Sequence, residues 1–187
     1  MYTETQRKLL LELAEESIRF SLSGRGRLEP EPTDYEAALQ EKRATFVTLN
    51  RLGKLRGCIG ALEAYRPLVV DVAHNAYSAA FSDPRFPPLQ TEEMNDLDIH
   101  ISVLSPSEPM DFESEQALIE QLQPGVDGLI VTEGAQRGTF LPSVWESLPD
   151  PSTFLTHLKL KAGLPANYWS DDIKISRYTT ESFGTVI

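Results

Sequence analysis

Leu55-Arg56-Gly57-Cys58-Ile59-Gly60 holds the chain's single cysteine, one residue from an arginine and between two glycines. As an extended segment it alternates side chains between two faces, so Arg56, Cys58 and Gly60 share one face and Leu55, Gly57 and Ile59 the other. The Cα atoms of Arg56 and Cys58 then lie roughly 6 to 7 Å apart, near enough for the guanidinium charge to act on the sulfur. Glycine inside a strand marks close approach by another backbone or by a ligand. The stretch reads as a strand that also carries a site.

Working outward, the preceding sequence supplies a partner strand. Ala44-Thr45-Phe46-Val47-Thr48-Leu49 is rich in β-branched and apolar residues, and Asn50 to Lys54 turns it back onto the hexapeptide as a hairpin. Pro67 opens a helix reaching about Phe81. Its buried stripe is Val69, Val72, Ala73, Ala76, Ala79 and Ala80, with Asp71, His74, Asn75 and Ser78 on the other side. The helix must stop before Pro84, and Asp83-Pro84-Arg85-Phe86-Pro87-Pro88 reads as a stiff loop. Asp98-Ile99-His100-Ile101-Ser102-Val103 alternates strictly, a half-buried strand whose polar face is Asp98, His100 and Ser102.

Residues 3–20 carry the stripe of an amphipathic helix behind a Thr3–Gln6 capping box, and Gly24 and Gly26 end it. Beyond the alternating strand, Ser114 to Leu122 reads as a helix, and Gly128 to Thr132 with Thr139 to Leu141 as a second hairpin. A short helix starts at Pro142 with a Ser143–Glu146 capping box, and Asp150-Pro151 begins another that Gly163 stops. Residues 173–178 and 183–187 close the chain as strands. Strands and helices are interspersed without a regular βαβ period, so the class is α+β, with a mixed or antiparallel sheet flanked by helices; a doubly wound sheet is the runner-up.

Composition bounds the function. With 187 residues, 41% hydrophobic and 24% charged, the chain is long enough for one sizeable core, or a core with a smaller lobe, and short for two independent domains. A formal net charge of -11, with no basic stripe, disfavours nucleic acid and anionic membrane surfaces. One cysteine excludes an internal disulfide and a multi-cysteine metal site. No His-x-His, His-Glu-x-x-His or acidic calcium loop occurs, so no metal site is expected, and no glycine-rich phosphate loop points to a cofactor. Met1 to Gln6 lacks a basic n-region before an apolar run, and the expectation is a cytosolic protein.

The hexapeptide resembles the signature of the AMMECR-type domain family. The resemblance extends through Phe46-Val47-Thr48-Leu49, Asn75-Ala76 with Ala79-Ala80-Phe81, Asp83-Pro84-Arg85-Phe86, Ile101-Ser102-Val103-Leu104, Pro124-Gly125-Val126-Asp127-Gly128, Phe140-Leu141-Pro142 with Val144-Trp145, and Lys161-Ala162-Gly163-Leu164. It implies one α+β domain over 1–187, in a larger and a smaller lobe with the hexapeptide near a groove between them. It also implies partners, since prokaryotic members resemble the A component of a three-protein set with a Memo-like and a radical-SAM protein.

The candidates for chemistry follow. Cys58 is either a small buried hydrophobe or a nucleophile, and the latter needs a base or orienting group. His100, on a polar strand face, and His74, on the helix after the hairpin, are candidates for that group; each reads otherwise as a solvated polar residue. Asp127 is a turn residue entering a strand or, in a groove, a general base. Arg56 and Arg85 suit fork-type recognition of a carboxylate or phosphate, with Gly57 and Gly60 allowing the ligand close. The competing reading of the arginines is an ion pair with Asp83, Asp71 or Asp127.

Two functions remain open. One is an enzyme or enzyme component binding a small anionic or carbonyl-bearing molecule near Arg56 and Cys58. The other is a non-catalytic module docking a protein partner through the Pro84–Pro88 loop and its exposed-looking Phe86.

Overall fold

The computed structural model describes residues 1–185. In chain order the elements are α1 (Glu4–Leu22), a short α2 (Ala37–Gln40), β1 (Thr45–Arg51), β2 (Lys54–Gly60), α3 (Leu68–Phe81), β3 (Leu97–Leu104), β4 (Glu108–Pro109), α4 (Glu115–Gln121), β5 (Gly128–Glu133), β6 (Gln136–Phe140), α5 (Pro151–Lys161), β7 (Lys174–Tyr178) and β8 (Thr180–Gly184). The fold is α+β with two four-stranded sheets, ordered β2-β1-β3-β8 and β4-β7-β5-β6. The chain divides into two compact units, residues 1–104 with the segment from Glu181 onward, and Ser105–Thr180.

In the first unit α1 and α3 share one core with one face of the sheet. Leu10, Leu13, Ala14 and Ile18 of α1 and Val69, Val72, Ala73 and Ala76 of α3 meet Val47, Leu49, Ile99 and Ile101 of the strands. The Thr3–Gln6 capping box forms as expected. Two residues assigned to the outer side of α3 are instead buried. Asp71 accepts from the Thr45 backbone N–H (2.9 Å), the Thr45 hydroxyl (2.7 Å), Asn75 Nδ2 (3.0 Å) and Arg66 Nε (3.0 Å). A carboxylate taken out of water needs that many donors, and the cluster ties the first turns of α3 to the start of β1.

The β1–β2 hairpin turns on two residues, not five. Leu52 and Gly53 both have positive φ, 51° and 74°, so both strands run further than expected, with Arg51 paired to Lys54. That is the backbone pattern of a type I′ turn, whose twist matches the strands. Leucine is an unfavourable residue there, and this one is 74% exposed.

In the second unit Trp145 stacks on Phe154 with ring centroids 3.7 Å apart, and the sheet packs over them. Lys159, 1% exposed, is held by Glu115 (2.7 Å) and the Tyr168 carbonyl (3.1 Å). The segment 142–146 is a 3-10 helix entered from Leu141, and Ser143 does not cap it. The last strand begins earlier than expected, and the expected Val186 and Ile187 lie outside the described residues. Tyr178 is buried beside Gly128, where a side chain would collide with its ring, and its hydroxyl donates to the Phe140 carbonyl (3.0 Å).

Burial pushes the Tyr178 hydroxyl up to about 12. A folded value above the unfolded value of ~10 means the stabilisation is full below pH ~10 and is lost as pH rises toward ~12, by about 2 to 3 kcal/mol. Absorbance titration at 295 nm is expected to show this phenol ionising last, together with alkaline unfolding, and Tyr178→Phe is expected to remove that component. Leu52→Asn is expected to raise stability by about 0.5 to 1 kcal/mol in urea titration, because asparagine tolerates the left-handed conformation.

Candidate functional site

The hexapeptide is an edge strand. Among the described residues β2 pairs with β1 alone, so one of its two backbone edges has no strand of those residues beside it. The register steps from Leu49–Gly57 to Asn50–Leu55, which leaves Arg56 as the extra residue of a bulge. A bulge re-aims the side chain it carries. Arg56 therefore does not lie beside Cys58 as simple alternation requires, and Leu55 takes the place across from Asn50.

Each glycine is explained by packing. A side chain at Gly57 would collide with the Ala79 carbonyl of α3, and one at Gly60 with the Phe46 ring and the Thr45 carbonyl. The space beside both is occupied by the protein itself. Ile59 packs into the helix-side core. Cys58 points the other way, is half-buried, and lies opposite Thr48, with Sγ 3.1 Å from Thr48 Oγ1.

The loop after α3 closes the open edge of β2 at Cys58. The Cys58 N–H donates to Asp83 Oδ2 (2.9 Å), so it points away from β1, and the Thr48–Cys58 pair is of the closely spaced, non-hydrogen-bonded kind. Asp83 Oδ1 accepts from the Arg85 N–H (3.0 Å), a local Asp-Pro-Arg turn. Arg85 then grips the same carboxylate through Nε (3.0 Å) and Nη2 (2.7 Å), and Nη2 reaches the Cys58 carbonyl (3.4 Å). The Arg85 guanidinium beside Asp83, with the two backbone N–H donors, holds that carboxyl well below the usual carboxylate range. The ion-pair reading of Arg85 with Asp83 is realised, yet its side chain remains 54% exposed against 1% for Asp83.

Arg56 has a parallel arrangement in a drier setting. Its Nε and Nη2 bind the two oxygens of Glu93 at 2.8 and 2.9 Å, and Nη2 also donates to the Pro87 carbonyl (2.9 Å). Its side chain is 11% exposed, and Nη1 is buried without a hydrogen-bond partner. The Arg56 guanidinium holds the Glu93 carboxyl below its ordinary range. Both arginines lie against the Phe86 ring, at 5.8 and 5.6 Å from its centroid, so Phe86 is half-buried under them and not a free aromatic.

The histidines are not brought to the thiol. His100 stands across Thr48 on β3, two strands and about 10 Å from Cys58. A side chain at Gly184 would collide with its ring, so the imidazole leans toward β8, away from the sulfur. His74 belongs to α3, on the opposite side of the sheet, where Nδ1 accepts from Arg66 (2.7 Å) and Nε2 contacts Glu29 (2.6 Å). Asp127 is in the second unit, 2% exposed, and caps the Gln123 N–H (2.8 Å) while its carbonyl accepts from the Trp145 indole (2.7 Å). No group of three His, Cys, Asp or Glu placed to hold a metal occurs among the described residues.

Thr48, Asp83 and Glu93 are the residues of this site that sequence reasoning did not rank. The Asp-Pro-Arg turn signalled the second; nothing local signalled the first, whose place depends on the exact hairpin register.

Comparison with known proteins gives a consistent picture. The AMMECR1 family model matches residues 11–183. A protein of Methanothermobacter thermautotrophicus is 38% identical, covering 94% of this chain and 92% of the relative. One from Thermotoga maritima is 39% identical over 83% of this chain and 86% of its own. The crystal structure of an uncharacterized protein from Pyrococcus horikoshii superposes with a TM-score of 0.87 at 38% identity, covering 94% and 89% of the two chains.

Because the space at Gly57 is filled by the Ala79 carbonyl, Gly57→Ala is expected to cost about 2 to 3 kcal/mol in urea unfolding. Cys58→Ser, at a half-buried position beside a hydroxyl, is expected to cost under about 1 kcal/mol.

Proposed function

The chain belongs to the AMMECR1 family, and on the geometry of its hexapeptide we propose that it is an enzyme or enzyme component whose Cys58 thiol attacks or grips a small carbonyl-bearing or anionic molecule. One observation carries this reading. Between Arg56 and Gly60 the fold uses every side chain but one: Arg56 is bound to Glu93, Gly57 yields to α3, Ile59 fills the core, and Gly60 lies under Phe46. Cys58 is half-buried, and among the described residues its sulfur has one hydrogen-bonding side-chain neighbour, the Thr48 hydroxyl.

The chemistry open to it is reversible addition. Sγ forms a bond to the carbonyl carbon, the C=O π pair moves onto oxygen, and the thiol proton passes to that oxygen with the Thr48 hydroxyl as relay. The balance closes without an oxidant or reductant. A free thiol with no second cysteine to pair with suits a reducing cytosol.

A second reading, a non-catalytic module docking a Memo-like or radical-SAM protein, is favoured by a different observation. Leu52 and Leu55, 74% and 42% exposed, stand at the end of the same hairpin. Reaction of the native chain with iodoacetamide, followed by intact mass, separates the two. A single adduct on Cys58 without denaturant, at a rate within about tenfold of free cysteine, is expected of the enzyme reading. A thiol that reacts only after denaturation would sink it and leave the docking module standing.

A further inference from the structure

The two arginines of the hexapeptide region are anchored alike, each by its Nε/Nη2 edge on a carboxylate and each against Phe86, but they differ in what they leave free. At Arg85 the negative partner is buried and the cation is half-exposed, so the pair presents its positive side outward. Its Nη1 makes no hydrogen bond among the described residues. Arg56 adds a second guanidinium on the same ring, with a buried Nη1 that lacks an acceptor. Four bonds join the Cys58 carbonyl oxygen to its sulfur, so a guanidinium 3.4 Å from that oxygen lies within about 8 Å of the sulfur. That span fits a small molecule whose carboxylate sits one or two bonds from its electrophilic carbon.

We propose that Arg85, fixed by Asp83, is the specificity-determining residue of the Cys58 site and selects short electrophiles that carry a carboxylate. This rests on the reading of Cys58 as a reactive thiol. A chain of formal net charge -11 repels such molecules on the whole, so a site that accepts them needs a cation held in place beforehand. Arginine suits the task because, with Nε and Nη2 engaged by Asp83 and the Cys58 carbonyl, the Nη1 donors are left for the ligand.

The test compares iodoacetate with iodoacetamide, an anionic and a neutral reagent for the same sulfur, by initial rates at one pH in the native chain. Both consume the same thiolate, so their ratio cancels any change in its amount. Arg85→Gln is expected to lower the iodoacetate-to-iodoacetamide ratio about tenfold, the ratio and not either rate alone being the readout. Arg85→Lys, which keeps a cation without the fork, is expected to fall between, and serves where the glutamine variant loosens the fold. High salt is expected to shrink the native preference. A ratio unchanged in both variants, with Cys58 still reactive, overturns this inference and leaves the thiol reading intact. A native thiol inert to both reagents overturns both.

Discussion

The first unit depends on the absence of a side chain at Gly57. With nothing there, the Ala79 carbonyl of α3 rests directly on the backbone of β2. Contact that close fixes the helix in height and rotation, since a well-packed interface has no slack to absorb a methyl group. It also fixes where the helix ends. Ala80 accepts the Leu89 N–H, and Asp83, four residues beyond Ala79, is delivered to the open edge of β2 at Cys58. The glycine-rich strand and the aspartate-proline loop are thus two halves of one constraint.

An exposed strand edge is a liability, because its unpaired N–H and C=O groups invite another strand. Here the edge is closed by side chains, with the Asp83 carboxylate standing in for a strand carbonyl and Arg85 for a strand N–H. The device costs a buried charge, and the costs of such charges are met throughout by partners: Asp83 by Arg85, Glu93 by Arg56, Asp71 by Arg66, Lys159 by Glu115. Cations are therefore not surplus in this acidic chain. What separates them is not pairing, which they share, but how much of the cation remains in contact with solvent.

Features set by near neighbours were legible in the sequence. The Thr3–Gln6 capping box, the alternation over β3, the two hairpins and the helix after Pro67 depend on residues a few positions apart. Features set by contacts distant in sequence were not. Asp71 and Asn75 read as a polar helix face because their partner, Thr45, lies across the core. The bulge at Arg56 follows from a turn of two residues where composition suggested five, and a leucine at positive φ gives no propensity signal for that turn. Of the candidate residues, Cys58 and Arg56 stood out by sharing one hexapeptide and Arg85 by its proline-stiffened loop; that Arg85 reaches Cys58 and that no histidine does are set by contacts distant in sequence.

The bulge decides where the Arg56 side chain goes. In a regular strand Arg56 would project beside Cys58 on the same face and act along the strand. The extra residue instead turns it toward Glu93 and Pro87, where it braces the loop from inside. Arg85, carried by that braced loop, arrives at Cys58 from outside the sheet edge. The cation near the sulfur is then open to solvent on one side and held by Asp83 on the other. Thr48, fixed opposite by the same register, gives the thiol a hydroxyl and not an imidazole. The nearest carboxylate, Asp83, is turned to the Cys58 N–H and held well below the usual carboxylate range by Arg85, so it is committed to the backbone and the guanidinium and not to the thiol.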